Sequence, residues 1–355
     1  MKILLTLDFP PEQGGIQRYL YEKAVHSYAA GDRILVGEAQ RSAQHGDGLS
    51  CTVSRHANPL SRFNKKWSIA NLFFELAASV GRAASPAAIE CGNVYAGIAA
   101  WALSLVRPLR YSVYAYGGEL LGLQRKTPGS VLLAGVLRRA VEVRVISRYG
   151  ERLVRSAGIQ TPCVIDPPRI SVAEKPVRGR DFARDGTVNL LCVGRLVEHK
   201  GHGVLLDACN TLPPDFDWRL VIAGTGPLES RLRTAAQKYR VADRVAFKEG
   251  LADRELAGEY RNADIFVLPS LETSSGAEGF GIVLLEAMAE GLPVIASDAG
   301  GIGEVLDNGS CGVLVRPADP AALASAILRL AADPVMRKRL AENGFRRVRE
   351  QYAWQ

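Results

Sequence analysis

The chain has 355 residues, of which 47% are hydrophobic and 23% charged, values typical of globular proteins long enough for two domains. No apolar run reaches the roughly 18 residues of a membrane-spanning helix. The six cysteines form no Cys-x-x-Cys pair and the five histidines show no metal-ligand spacing. This composition favours reduced thiols of a cytoplasmic protein and argues against a metal site.

The formal net charge of +7 belongs to the first half of the chain. Residues 1–166 contain 20 Lys and Arg against 12 Asp and Glu, whereas residues 167–355 contain 24 against 25. Such asymmetry indicates an anionic partner for the first half. No nucleic-acid recognition motif accompanies these basic residues, so we do not expect that partner to be a nucleic acid.

The N-terminal half begins with a predicted βαβ unit. Residues 3–7 read as a strand, 9–15 as a loop rich in Pro and Gly, 16–30 as a helix ended by Gly31, and 33–37 as a second strand. Parallel strands need such crossovers, so the pattern predicts a parallel sheet.

The alternation of strands and helices breaks near residue 166. From there to residue 186 the chain is charged and rich in Pro and Gly, with no apolar period. We therefore predict an N-terminal domain over 1–166, a linker over 167–186 and a C-terminal domain over 187–355. The second domain repeats the pattern, with predicted strands at 188–193, 218–223, 265–268, 294–296 and 312–315. The expected fold is α/β, with two doubly wound, Rossmann-like domains facing each other across a cleft.

Two carboxylates stand out in the second half. Glu278 lies in a Gly-rich loop and Glu286 lies in an Ala-rich run that favours helix. Gly279 and Gly281 allow close backbone approach and leave amide groups for oxygen atoms, while the helix start adds a positive dipole end. Together these groups could hold a polyhydroxylated, anionic ligand such as a sugar nucleotide.

Two basic residues follow an earlier strand of the same half. Arg195 and Lys200 come after the strand that ends at Gly194, where permanent positive charge could hold a diphosphate. Gly224 and Gly226 form a Gly-Thr-Gly-Pro turn after the next strand. This turn could approach a nucleotide closely, or it could be purely structural.

In this order, the segments resemble the retaining GT-B glycosyltransferases of the glycosyltransferase group 1 family (family 4). The matching segments are Gly194-Arg-Leu…Lys200-Gly, Gly224-x-Gly226-Pro, Glu278-x7-Glu286, Gly291-Leu-Pro293 and Gly300-Gly301…Glu304. The resemblance covers nearly the whole chain but is dense only over 188–332.

The resemblance implies a role for each matching residue. Arg195 and Lys200 would contact the donor diphosphate and stabilise the leaving group, and Glu278 would contact hydroxyls of the transferred sugar. Further donor-binding groups are implied at Gly15, Gly224, Gly226, the backbone amides of Phe280, Gly281 and Ile282, and Glu286, which would bind the ribose. The family needs no metal ion or other cofactor for this arrangement, and UDP- or GDP-linked sugars are the expected donors.

Three departures from the family pattern concern the acceptor side and the chain end. Tyr116 stands where many relatives have a catalytic His that faces the reacting sugar. Its hydroxyl could donate a hydrogen bond to that sugar, but a Tyr hydroxyl is a poor base near neutral pH. Glu119 could face the acceptor, or it could be a helix-start carboxylate. Residues 166–169 replace the usual Pro-Asn-Gly, and the end at 351–355 suggests that the final crossover helix is short or missing.

A basic and aromatic segment of the first half could form an interfacial helix on anionic lipid. An apolar face recurs at helical spacing through Phe63, Trp67, Ala70 and Phe74. The basic residues beside it are Arg62, Lys65 and Lys66. The alternative is an ordinary core-facing helix with a solvated basic end. The expected location is the cytoplasm, including the inner face of the cell membrane.

These observations predict a retaining glycosyltransferase. It would transfer a sugar from a nucleotide sugar to a glycan or glycolipid acceptor, in the assembly of a cell-surface polysaccharide, lipopolysaccharide or glycolipid. The alternatives are a nucleotide-sugar epimerase, a phosphorylase-like enzyme and a non-catalytic subunit that binds sugar nucleotides.

Overall fold

A computed structural model describes residues 1–10, 14–38, 48–57, 65–81, 88–125, 127–174, 186–274 and 276–354. The chain divides into two compact units, Met1–Arg169 and Ile170–Gln355. This division lies close to the boundary expected at residue 166, and much of the expected linker lies outside the described residues.

The N-terminal unit is built on a parallel sheet. Its strands are β1 (Lys2–Thr6), β2 (Arg33–Glu38), β3 (Thr52–Ala57), β4 (Ala88–Cys91), β5 (Tyr111–Ala115), β6 (Glu142–Val145) and β7 (Cys163–Ile165). The described strands are ordered β3-β2-β1-β4-β5-β6-β7, and each neighbouring pair is parallel. The helices are α1 (Gly15–Ser27), α2 (Lys65–Gly81), α3 (Val94–Ser104), α4 (Gly117–Leu123), α5 (Pro128–Arg139) and α6 (Arg148–Ser156).

The C-terminal unit repeats this plan. Its strands are β8 (Val188–Val193), β9 (Trp218–Ala223), β10 (Val245–Lys248), β11 (Ile265–Leu268), β12 (Val294–Ser297) and β13 (Val313–Val315). They form a parallel sheet in the order β10-β9-β8-β11-β12-β13. The helices are α7 (His202–Asn210), α8 (Glu229–Lys238), α9 (Asp253–Asn262), α10 (Ile282–Ala289), α11 (Ile302–Val305), α12 (Pro320–Ala332) and α13 (Pro334–Arg347).

The central strands of the second sheet are buried on both faces. Every residue of β11 and β12 is buried, as expected for strands that carry helices on each side. In the strand order, β8 lies next to both β9 and β11, so the chain's path reverses at β8. Ligands of doubly wound folds bind at such a reversal, outside the carboxyl ends of the strands.

Helix α1 ends earlier than the sequence predicted. It stops at Ser27, and Tyr28 leaves the helix in an extended conformation while its amide still bonds to Ala24 O. The prediction that Gly31 caps the helix was wrong. The intervening turn is held instead by Asp32, whose carboxylate accepts the amide of Ala29.

The last residues of the chain pack against the start of the second unit. Helix α13 continues into a π-helical turn, Val348–Tyr352. The carbonyl of Tyr352 accepts the amide of Ile170 at 2.8 Å, and the amide of Trp354 donates to the carbonyl of Ile170 at 3.3 Å. The sequence analysis assigned no helix after residue 332, so α13 and this turn come from the structure alone.

Candidate active site

A buried ion pair joins two of the predicted site residues. Lys200 Nζ lies 2.5 Å from Glu278 Oε2, and the two side chains are only 15% and 12% exposed. Lys200 ends a short 3₁₀ helix after β8, whereas Glu278 lies in the loop after β11. Because β8 and β11 are neighbours in the sheet, their carboxyl ends bring these residues together.

The loops after β8 and β11 are packed backbone against backbone. Gly201 has φ +69°, and a Cβ at this position would overlap the carbonyl oxygen of Pro269. On the same side, the amide of Leu271 donates to the carbonyl of His199 at 2.7 Å. The Gly after Lys200 is therefore needed for the loops to approach, and this approach places the lysine beside Glu278.

A third loop supports the backbone of Glu278. The carbonyl of Glu278 accepts the amide of Gly301 at 3.0 Å, and a Cβ on Gly300, at φ +61°, would overlap that same carbonyl oxygen. The amide of Gly300 in turn donates to the carboxylate of Glu272 at 2.9 Å. From the sequence, Gly300 and Gly301 were known only as a segment that matches the family. Their position after β12, the neighbour of β11, is the signal that could have placed them beside Glu278.

The Gly-Thr-Gly-Pro turn also has a packing role. A Cβ on Gly224 would overlap the carbonyl oxygen of Gly194, and one on Gly226 would come within 2.5 Å of the carbonyl oxygen of Leu196. The amide of Leu196 donates to the carbonyl of Thr225 at 2.8 Å. These contacts show that packing of the loops requires glycine at both positions, as a structural role of the turn would demand. An approach of Gly224 and Gly226 to a nucleotide stays a prediction.

Further basic side chains lie near Lys200. Arg195 is exposed, and no hydrogen bond or ion pair joins its guanidinium to another residue in the described part of the chain. Burial, followed by the positive charge of Lys200 and the neighbouring His199, lowers the pKa of His202 to about 4. Burial is the larger cause of this lowered pKa, and the nearby positive charge adds to it.

Buried polar atoms without protein partners also lie near this strand end. His202 is buried, and among the described residues neither of its ring nitrogens has a hydrogen-bond partner. The hydroxyl of Ser270, after β11, is unpaired in the same sense. The sequence showed only that the five histidines lack metal-ligand spacing, and the burial of His202 comes from the structure.

The loop between Glu278 and α10 is anchored by its aromatic residue. Phe280 is buried, and its ring meets the ring of Tyr352 edge-on at 5.5 Å. Gly281 then adopts φ +88° and ψ +61°, a left-handed conformation, and Ile282 begins α10. The amides of this predicted donor-binding segment therefore lie at a helix start.

Glu286 has a different partner from Glu278. It lies on α10, half-buried, and its Oε2 accepts a hydrogen bond of 2.7 Å from Tyr260 Oη of α9. Tyr260 is buried and its ring packs against Phe266 of β11. Nothing in the sequence pattern singled out Tyr260, because its position beside Glu286 follows from how α9 and α10 cover the sheet.

In the N-terminal unit, Tyr116 follows β5. It is 6% exposed, its ring stacks on that of Tyr114 at 6.5 Å, and its hydroxyl has no hydrogen-bond partner in the described part of the chain. Burial, aided by the nearby Tyr19 and Glu119, raises the pKa of Tyr116 well above its usual range. This hydroxyl therefore stays protonated near neutral pH. It can donate or accept a hydrogen bond, but it cannot act as a base.

Glu119 lies in the first turn of α4. Its Oε1 accepts the amides of Tyr116 at 3.1 Å and Val94 at 3.5 Å, which is the helix-start arrangement considered above. Burial raises the pKa of Glu119 to about 8; the two amides oppose this rise, and nearby Asp8 adds to it. A role toward an acceptor stays a prediction.

Asp8 is a polar residue that the sequence analysis missed. It follows β1, and its carboxylate accepts hydrogen bonds from Asn93 Nδ2 at 2.5 Å and Gln17 Nε2 at 3.1 Å. Asn93 follows β4, the neighbour of β1, and caps α3 through a bond from the amide of Ala96. The predicted loop residues Gly14 and Gly15 lie at the start of α1. The signal that could have identified Asp8 is its position after the first strand.

Asp166 is the first residue of the segment 166–169, where the sequence departs from the family's Pro-Asn-Gly. Its Oδ2 accepts Tyr114 Oη at 2.7 Å and Arg144 Nη1 at 3.3 Å, and Lys23 Nζ lies 3.8 Å away. Burial alone would raise the pKa of Asp166, but the Tyr114 hydrogen bond and the cations Lys23, Arg144 and Arg169 hold this pKa below its ordinary value. Asp166 therefore ties β7 to β5, β6 and α1.

The proposed membrane segment is described in part. Arg62 lies outside the described residues, as do the side chains of Lys65 and Lys66 at the start of α2. Trp67 is 45% exposed and Phe74 68% exposed, seven positions apart on the outer face of the helix. Among the described residues, no helix combines the length and apolar character needed to cross a membrane. Nor does this part of the chain contain three His, Cys, Asp or Glu side chains grouped to hold a metal ion.

Known proteins of similar sequence identify the family of this chain. A family model described as "Glycosyl transferases group 1" matches residues 178–347. The GDP-mannose-dependent alpha-(1-6)-phosphatidylinositol monomannoside mannosyltransferase of Mycolicibacterium smegmatis is 30% identical over 94% of this chain and 89% of that protein. The chain belongs to the glycosyl transferases group 1 family. This membership confirms the resemblance drawn from the sequence, and the chain is a glycosyltransferase.

Solved structures confirm the GT-B fold of this glycosyltransferase. Sucrose-phosphate synthase from Thermosynechococcus elongatus superposes with a TM-score of 0.82 at 23% identity, over 100% of this chain and 96% of the other. Anabaena HepE in complex with UDP-glucose superposes with a TM-score of 0.79 at 20% identity, over 99% and 96%. At these identities the likeness is one of fold.

Proposed function

We propose that this glycosyltransferase moves a sugar from a nucleotide-diphosphate sugar to an acceptor hydroxyl, with retention at the anomeric carbon. The observation that carries the proposal is the buried Lys200–Glu278 pair beside the exposed Arg195, at the strand reversal of the second sheet. A cation and a carboxylate in contact can bind the two charged and hydroxylated parts of one donor molecule.

In the proposed mechanism, Lys200 and Arg195 stabilise the diphosphate as it leaves. Arg195 offers a guanidinium with no protein partner in the described structure, which suits bidentate binding of phosphate. The Lys200 ammonium lies in a largely buried site, where an ion acts more strongly on a developing charge than in water. These two cations supply the charge that a metal ion would otherwise contribute, so we propose that no metal or other cofactor is required.

Glu278 and Glu286 hold the donor's hydroxyl groups in this proposal. Glu278 accepts hydrogen bonds from the transferred sugar while the amides of Phe280, Gly281 and Ile282 face its oxygens at the start of α10. Glu286 binds the ribose. The donor-bound HepE structures support this choice of ligand, because those complexes contain UDP and UDP-glucose in a protein of the same fold.

The acceptor in the proposal is a glycan or glycolipid of the cell surface. The mycobacterial relatives are named for transfer to a phosphatidylinositol mannoside, and the excess positive charge of residues 1–166 suits an anionic acceptor or membrane. Exposed Trp67 and Phe74 suit insertion at a lipid interface. The proposed location is therefore the cytoplasm, at the inner membrane face.

The first experiment is a thermal-shift screen with UDP, GDP, ADP and their common sugars, because a bound nucleotide stabilises the native state by mass action. The preferred donor is then incubated with an acceptor panel in the presence and absence of EDTA, and the anomeric configuration of the product is read by NMR. An inverted product, or activity abolished by EDTA and restored by a divalent cation, would contradict the proposal.

Variants test the assignment of the leaving-group cations. Arg195→Ala combined with Lys200→Ala is expected to reduce kcat by at least about 100-fold, as loss of charge stabilisation does in other enzymes. The matched control is Lys238→Ala, which removes an exposed cation at the end of α8. Isomerisation of the donor without acceptor would identify an epimerase, absorbance of a lysine-bound pyridoxal group a phosphorylase-like enzyme, and binding without turnover a non-catalytic subunit.

Liposome sedimentation tests the membrane contact. The pair Trp67→Ser and Phe74→Ser is expected to reduce binding to vesicles containing anionic phosphatidylglycerol. Val131→Ser, on α5, removes a similarly exposed apolar side chain and serves as the control. Equal binding of both variants and the wild type would reject the lipid contact.

A further inference from the structure

We infer that Tyr260 is a positioning residue, which orients the Glu286 carboxylate and makes the site select ribonucleotides over deoxyribonucleotides. The inference rests on the proposed function, in which Glu286 binds the ribose. It is carried by one contact, the 2.7 Å hydrogen bond from Tyr260 Oη to Glu286 Oε2.

The position of the Tyr260 hydroxyl is determined by the core. Tyr260 lies near the end of α9 and is 3% exposed, and its ring centroid is 5.7 Å from that of Phe266 at an angle of 38°. Phe266 belongs to β11, which is hydrogen-bonded to β8 on one side and β12 on the other. A tyrosine ring has two rotatable bonds, and burial against this strand restricts both.

The hydroxyl in turn restricts Glu286. A carboxylate can accept about four hydrogen bonds in its plane, and a bond to a charged acceptor is shorter and stronger than one to a neutral group. The bond from Tyr260 to Oε2 restrains the carboxylate and narrows the directions in which its other lone pairs point. A glutamate on a helix surface without such a partner would lose rotamer freedom on binding a ligand.

Ribose is the group that this orientation serves. Its vicinal 2′ and 3′ hydroxyls can both donate to one carboxylate, which requires the carboxylate plane to face the sugar edge. A deoxyribose lacks one donor, so the advantage of an oriented carboxylate is partly lost. Tyr260 should therefore affect the affinity for ribonucleotides more than that for their deoxy counterparts.

The experiment compares nucleotide pairs on matched variants. Affinities of UDP, GDP and ADP, and of their 2′-deoxy and 3′-deoxy forms, are measured by calorimetry for the wild type, Tyr260→Phe and Glu286→Gln. The wild type is expected to prefer the ribonucleotide by about tenfold, the factor that roughly 1.4 kcal/mol provides. Both variants should lower this preference to within about threefold, mainly by weakening the ribonucleotide.

A second tyrosine–carboxylate pair provides the control. Tyr239 Oη, just after α8, donates to Asp207 Oδ1 of α7 at 2.6 Å in the same unit. Tyr239→Phe removes the same chemical group but should keep the wild-type preference. If Tyr260→Phe fails to fold, Phe266→Leu loosens the ring while keeping the hydroxyl, and it should lower the preference in the same direction.

The outcomes separate this inference from the proposed function. Wild-type protein that binds none of the nucleotides overturns both. A preference that Glu286→Gln abolishes but Tyr260→Phe leaves unchanged overturns the inference alone. Equal weakening of ribo and deoxy forms by Tyr260→Phe shows a purely structural role and also overturns it.

Discussion

Lys200 Nζ and Glu278 Oε2 lie 2.5 Å apart, although 78 residues separate them in the chain. Each charge is largely removed from solvent and compensated by the other. Removing either partner alone would leave a largely buried charge without compensation. In the proposed mechanism the same two groups bind the donor, so one substitution would affect both stability and activity.

Substitutions can separate the effect of this pair on stability from its effect on donor turnover. Lys200→Ala leaves a largely buried carboxylate without its cation and is expected to lower the free energy of unfolding by about 2–4 kcal/mol. Replacing both residues, Lys200→Met with Glu278→Leu, should recover most of that stability because an apolar pair needs no compensation. Urea unfolding measures the stabilities, and donor turnover should be lost in both proteins. A double variant as unstable as Lys200→Ala would contradict this account.

Gly300→Ala is expected to destabilise the second unit and reduce activity. A Cβ would overlap the carbonyl oxygen of Glu278, and φ is +61°. Gly250 has the same φ of +61°, but a Cβ there meets nothing within 4 Å. Gly250→Ala should cost about 1 kcal/mol from backbone strain alone, and Gly300→Ala at least twice as much. Thermal unfolding of both variants gives the comparison, and equal losses would show that the overlap is relieved cheaply.

The raised pKa of Glu119 predicts that the protein loses stability as the pH rises. Its pKa is raised from the ordinary 4.5 to about 8 in the fold, chiefly by burial, so between these values the folded state holds a proton that the unfolded state releases. Its contribution is fully present below about pH 4.5 and declines by up to about 1.4 kcal/mol per pH unit until about pH 8. Glu119→Gln should remove this decline in urea titrations from pH 5 to 8. The same slope in the variant would assign the effect to another group.

The lowered pKa of Asp166 predicts that stability falls as the pH is lowered into the acid range. Its pKa is lowered in the fold, since the Tyr114 bond and the cations Lys23, Arg144 and Arg169 outweigh burial. Its contribution is therefore present above the ordinary pKa and is lost as the pH falls through the lowered value. Asp166→Asn should reduce stability at pH 7 by about 2 kcal/mol or more, because it leaves three cations with one anion fewer. The difference from wild type should shrink below pH 4.

Tyr116→Phe tests the residue that, by the family resemblance, stands where many relatives have a histidine. Its hydroxyl is buried and has no partner in the described structure, so its removal should raise the free energy of unfolding by about 1 kcal/mol. Turnover of the same protein tests the sequence-based prediction that Tyr116 contacts the reacting sugar. A large loss of kcat in a variant at least as stable as the wild type would support that contact, and unchanged kcat would reject it.

The sequence by itself determined the fold class, the family and five of the six strands described in the second unit; it did not predict β10, Val245–Lys248. Alternating apolar strands and helices predict parallel sheets, and ordered motifs such as Gly194-Arg-Leu and Glu278-x7-Glu286 are local in the chain, so they can be read without coordinates. The end of α1 was predicted wrongly: the helix was expected to reach residue 30 with Gly31 as its cap, but it ends at Ser27 and Asp32 holds the turn that follows.

The tertiary structure decided which residues act on one another. The Lys200–Glu278 pair, the support of Glu278 by Gly300 and Gly301, and the bond from Tyr260 to Glu286 all join loops or helices that are distant in sequence. A sequence pattern records the period of an element and the residues that follow it. The physical reason for the difference is that strand order brings these elements together, and strand order is set by packing of the whole sheet rather than by any local segment.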